Sequence, residues 1–103
     1  MTNFLFVYYG GKMAATPAEQ KKSMDAWMKW FKDQGKAVVD PGNPTMTGKL
    51  VAASGVKAVG ANPVTGYSVF KAETIDAAAA IAKTSPQILD GGQIAVYQIM
   101  PTM

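Results

Sequence analysis

Residues 62–103, NPVTGYSVFKAETIDAAAAIAKTSPQILDGGQIAVYQIMPTM, read as strand, helix and strand with a stop signal between each pair. The first expected strand, 65–72, alternates Tyr67, Val69 and Lys71 against Ser68, Phe70 and Ala72. Thr74 stands where a helix needs its N-cap, and Asp76 follows in the first turn, where a carboxylate suits the helix dipole. Ile75, Ala78, Ala79 and Ala82 make an expected inner stripe that is thin, so this helix can lie close to a sheet. Lys83 to Pro86 should end it. After the Asp90-Gly91-Gly92 turn, 93–100 alternates Ile94, Val96 and Gln98 against Ala95, Tyr97 and Ile99, and Pro101 closes the unit.

A matching unit opens the chain. Residues 3–9 carry Phe4, Phe6 and Tyr8 on one face and Leu5, Val7 and Tyr9 on the other, so both faces call for cover. Thr16-Pro17-Ala18-Glu19 has the form of a capping box with proline at the first helical position. That helix should run to about Gln34, with Gly35 as its left-handed stop. Met24, Trp27, Met28 and Phe31 recur at helical spacing as its expected buried stripe, with Trp30 at the edge. A short strand is expected at 36–40 and a turn at Pro41-Gly42-Asn43-Pro44. The stretches 49–53 and 56–59 fit a hairpin across Ser54-Gly55.

The whole chain, 1–103, reads as one domain. The order strand, helix, strand, hairpin, strand, helix, strand is the split βαβ pattern of a ferredoxin-like fold. The fold class expected is therefore α+β: a βαββαβ chain with a four-stranded antiparallel sheet and two helices on one face. The other face is left bare, yet its strands are apolar there too. A second copy is the simplest cover, so a homodimer paired sheet to sheet is expected. Charged residues make up 17% of the chain, below the roughly 25% of an average domain, in line with surface hidden by another subunit.

Composition excludes much chemistry. There is no cysteine and no histidine, which removes disulfides, thiolate catalysis, the commonest general base and the commonest metal ligand. No carboxylates fall at metal-ligand spacing, so neither metal nor cofactor is expected. All ten basic residues are lysine, without a basic run, so a nucleic-acid partner is not expected. The opening MTNFLFVYYG lacks a basic n-region and a small-residue cleavage site, and its apolar run is too short for a bilayer. A cytoplasmic protein with no membrane partner is the expectation.

The motifs also carry a resemblance. Gly66-Tyr67 on a strand, an alanine-rich helix ending Ala82-Lys83 with Pro86, the Gly91-Gly92 turn, and a last strand ending Met100-Pro101 occur in this order in YCII-related domain proteins. FVYYGG, the tryptophan-bearing helix and VDPGNP are similar too, so the resemblance covers nearly the whole chain. It implies a dimeric α/β-barrel, two ferredoxin-like domains joined through their sheets. In some members it further implies activity through a His–Asp pair. The position of that histidine falls near Met24, and 41–72, where the aspartate belongs, holds no acidic residue. Both members of the pair are missing.

The remaining candidates are few. Asp40, beside the Pro-Gly turn, has the position of a base, although aspartate is also a common turn former. Asn43 in the same loop has the position of a ligand contact. Tyr8 and Tyr67 offer phenol hydroxyls, and Trp27 a flat apolar wall, although all three also suit core or interface packing. Met24 fills volume that the relatives implied by the resemblance give to histidine. The expected function is a small dimeric protein that holds a small apolar or aromatic molecule between its sheet and its helices, through Tyr8, Met24, Trp27, Asn43 and Tyr67. One alternative is a cofactor-independent isomerase, lyase or monooxygenase-like enzyme using Asp40 and Tyr67. Another is a protein-interaction or structural module.

Overall fold

The structure is a computed structural model that describes residues 1–11 and 15–101. Its elements in chain order are β1 (Thr2–Tyr9), α1 (Pro17–Gln34), β2 (Val38–Pro44), β3 (Lys49–Ala52), β4 (Gly55–Ala58), β5 (Val64–Ala72), α2 (Ile75–Lys83), α3 (Pro86–Leu89) and β6 (Gln93–Gln98). Four strands form an antiparallel sheet in the order β2-β5-β1-β6, and among the described residues β3 pairs only with β4. The helices pack on one face of that sheet, an α+β arrangement compatible with the ferredoxin-like layout. No helix among the described residues is long and apolar enough to cross a membrane.

The core lies between that face and the helices. Phe4, Phe6 and Tyr8 of β1 meet Phe70 and Ala72 of β5, and Trp30, Ala78 and Ala82 close over them. Phe6 and Phe70 stack at 4.5 Å between ring centroids, and Trp30 leans on Phe70 at 5.0 Å. Large flat side chains bury much apolar area for few rotatable bonds, so a short chain can build a core from them.

Local signals place the helices as expected. The Glu19 amide donates to Thr16 Oγ1 at 3.2 Å, while the Glu19 carboxylate accepts from the Ala15 amide at 2.9 Å. The Ala77 amide donates to Thr74 Oγ1 at 3.1 Å, capping α2. Gly35 ends α1 with φ 55°.

Several expectations are corrected. The inward side of α1 is Ser23, Trp27, Trp30, Phe31 and Gln34, turned from the expected stripe. Trp30 is buried at its centre, because its indole N–H donates to Thr84 Oγ1 at 2.9 Å and its ring reaches Phe70. Met24 and Met28 are 63% and 64% exposed. On α2, Ala78 and Ala82 are buried but Ile75 and Ala79 face out. The strand expected at 36–40 starts later, after a 3₁₀ turn over Gly35–Ala37. It then runs through the expected Pro-Gly turn, which appears as irregular register against β5. The β3–β4 hairpin is present, with its turn at Ala53-Ser54. Pro86, expected only as a stop, also opens α3.

Phe70 touches both layers of the core. Phe70→Ala is expected to destabilise the fold by about 3–5 kcal/mol, measured by urea denaturation. A loss below about 1 kcal/mol would mean that the aromatic layer does not carry the core.

Candidate functional site

The candidate residues gather at one end of the sheet. Tyr8 is paired with Gly66, and Asn43 with Tyr67, so β1, β2 and β5 bring all three side chains to the same end. The sheet then divides them. Tyr8 faces the helices with Phe6 and Phe4, whereas Tyr67 pairs with Val7 on the open face. Trp27 joins Tyr8, its ring edge-on at 5.1 Å. Met24, one turn earlier on α1, stays largely exposed. Asn43 is exposed at the edge beside Tyr67.

A polar relay is buried beneath Tyr8. Its hydroxyl donates to Ser68 Oγ at 2.7 Å, and Ser68 Oγ donates to the Pro41 carbonyl at 2.6 Å. Ser68 is wholly buried, so these two bonds satisfy a hydroxyl that would otherwise be costly to keep dry. Burial pushes the Tyr8 phenol up to about 12, against a smaller opposing effect of the Ser68 hydrogen bond. Tyr8 is thus a neutral donor over the ordinary pH range and not a base.

Asp40 has a local duty. Its carboxylate accepts from the Gly42 amide at 2.8 Å and is exposed, the geometry of a turn-forming aspartate. Gly42 sits at φ 72°, and a Cβ there would collide with the Tyr67 carbonyl. The turn therefore presses β2 against β5 where Asn43 and Tyr67 meet. Asp40 itself pairs with Val69 rather than Tyr67 in the ladder.

Ser68 and the Pro41 carbonyl did not stand out in the sequence. The signal was there: Ser68 is a small polar residue between Gly66 and Phe70 on the inward-facing positions of β5. A lone hydroxyl on an otherwise apolar face asks for a partner, and Tyr8 across the ladder is the nearest phenol.

Two other features complete the electrostatic picture. A groove of about 580 Å³ runs between α1 and α3, lined by Glu19, Lys22, Trp30, Asp33, Pro86 and Leu89, and holds none of the sequence candidates. No cluster of acidic side chains among the described residues could hold a metal ion. No family model matches the chain, and no curated protein matches it.

The raised Tyr8 phenol has a testable sign. The folded state keeps the proton to about pH 12, while the unfolded phenol releases it near 10. The associated stability is complete below about pH 10 and is lost as pH rises toward 12, by up to roughly 3 kcal/mol. Urea midpoints across that window should fall more steeply for wild type than for Tyr8→Phe, the lysines being common to both. Parallel slopes would contradict the buried neutral phenol.

Proposed function

We propose that this chain is a YCII-like protein that works as a homodimer, its two sheets packed face to face as a dimeric α/β-barrel, and that it binds a small apolar or aromatic molecule. The observation behind this reading is the face of the sheet that the helices leave open. Two rows cross it, Val69–Leu5–Tyr97 and Tyr67–Val7–Ala95, apolar or aromatic at every position. Monomeric proteins rarely leave such a surface to water.

The extent of the chain's surface supports the same reading. Its accessible surface is 7566 Å². A compact monomer of its 10.9 kDa mass would expose about 5,600 Å². Its radius of gyration of 14.8 Å also exceeds the about 13 Å of a compact domain this long. That surplus of about 2,000 Å² is of the size that an obligate interface covers.

Pairing the open faces would enclose Tyr67, with Asn43 at the rim. Those two groups would orient a flat ligand through a hydroxyl and an amide, and the apolar rows would supply its walls. On the far side of the same sheet end, Trp27 and Tyr8 stiffen the floor and Met24 lies at the helix edge. Binding without turnover is favoured because Tyr8 is held neutral and bonded to Ser68, and Asp40 is engaged by Gly42.

A thermal-shift screen of small aromatic acids, phenols and lactones at millimolar concentration tests this. At least one compound should raise the melting temperature by several degrees. Its affinity should fall about tenfold or more in the Asn43→Ala/Tyr67→Phe variant, which loses two hydrogen-bonding groups with little change in packing. A panel without effect, or equal binding by the variant, would contradict the reading.

A further inference from the structure

The antiparallel neighbours β2 and β5 need only a short turn to join them, yet residues 45–63 lie between. Connections in compact domains are mostly about 4–6 residues long, so this one is an insert. Most of this one is the β3–β4 hairpin, whose strands pair with each other and with no strand of the main sheet. Every residue of 45–63 is exposed.

Its composition does not suit that exposure. Val51 and Val56 face each other across the ladder on one side, 72% and 64% exposed, and Leu50 lies on the other side, 46% exposed. Met46 and Val59 add apolar surface at its base. An isolated two-stranded hairpin is marginal in water and needs a third strand or an apolar surface beneath it. Among the described residues no third strand pairs with the hairpin, and all of it is exposed.

The open sheet face is short of area in the complementary way. Of the six residues in its two apolar rows, five are half-buried among their neighbours and Tyr97 is exposed. Those two rows alone therefore expose less than the about 800 Å² per partner of a standard interface. The hairpin, exposed at every residue, adds to the surface of the chain. It springs from the sheet end that carries Asn43 and Tyr67, next to the open face.

We propose that the β3–β4 hairpin is a dimer arm, which lies against the second copy of this chain and buries Val51 and Val56 there. The arm rests on the homodimer reading above and adds a second contact region to it. By two-fold symmetry each copy gives one arm and receives one. The insert holds Lys49 and Lys57 and no acidic residue, so it meets the partner without a buried carboxylate.

The chain has no cysteine, so a single introduced thiol reports cleanly on burial. Val51→Cys, at dimer-forming concentration, should react with a thiol reagent at least about tenfold more slowly than Leu89→Cys, whose site on α3 is 80% exposed. Dilution to single chains should abolish the difference. Val51→Lys/Val56→Lys should raise the dimer dissociation constant at least about tenfold, read by size exclusion with light scattering, with the circular dichroism of the sheet retained. A wild type that elutes as a single chain overturns the dimer and the arm together. A persistent dimer in which Val51→Cys reacts as fast as Leu89→Cys, or which the double variant does not weaken, overturns the arm alone.

Discussion

Strand β1 lies inside the sheet and is apolar on both faces. Toward the helices it presents Phe4, Phe6 and Tyr8, all buried. Away from them it presents Leu5 and Val7, flanked by Val69 and Tyr67 on β5 and by Tyr97 and Ala95 on β6. A strand has only two faces, and the helices of one chain cover only one of them. What stabilises the second face decides whether the chain is a finished unit or half of one.

The covered face shows how little variety the core needs. Tyr8, Trp27, Trp30, Phe70 and Phe6 form a connected series of rings, with centroid separations from 4.5 to 5.7 Å. Polar atoms at its margins have found partners: Trp30 reaches Thr84, and Tyr8 reaches Ser68 and through it Pro41. Those bonds tie α1 to the end of α2, and β1 to the turn within β2. They brace the sheet end that carries Asn43 and Tyr67. The same bonding leaves Tyr8 a neutral donor, and Asp40 holds the Gly42 turn.

Much of the architecture was legible in the sequence because its signals are local. Thr16 and Thr74 as caps, Gly35 as a stop, and period-two alternation in β1, β5 and β6 each act within a few residues. The inward face of α1 was harder. Met24, Trp27, Met28 and Phe31 make the more apolar stripe, but the helix turns to seat Trp30 on Phe70 and Thr84, both far away in sequence. With Trp30 seated inward, Met24 and Met28 fall on the solvent side of the helix, 63% and 64% exposed. The candidate residues were legible as types and not as a group. Their gathering at one sheet end, and the division of Tyr8 from Tyr67 by the sheet itself, depend on the register between β1, β2 and β5. No short stretch of sequence encodes that register. Ser68 escaped for the same reason: its worth lies in what stands across the ladder.

The central claim is that the open sheet face is an interface between two copies. Sedimentation equilibrium of the wild-type chain at micromolar concentration tests it without any substitution. The account predicts a particle of twice the 10.9 kDa chain mass. A particle of 10.9 kDa that stays single as concentration rises would contradict it.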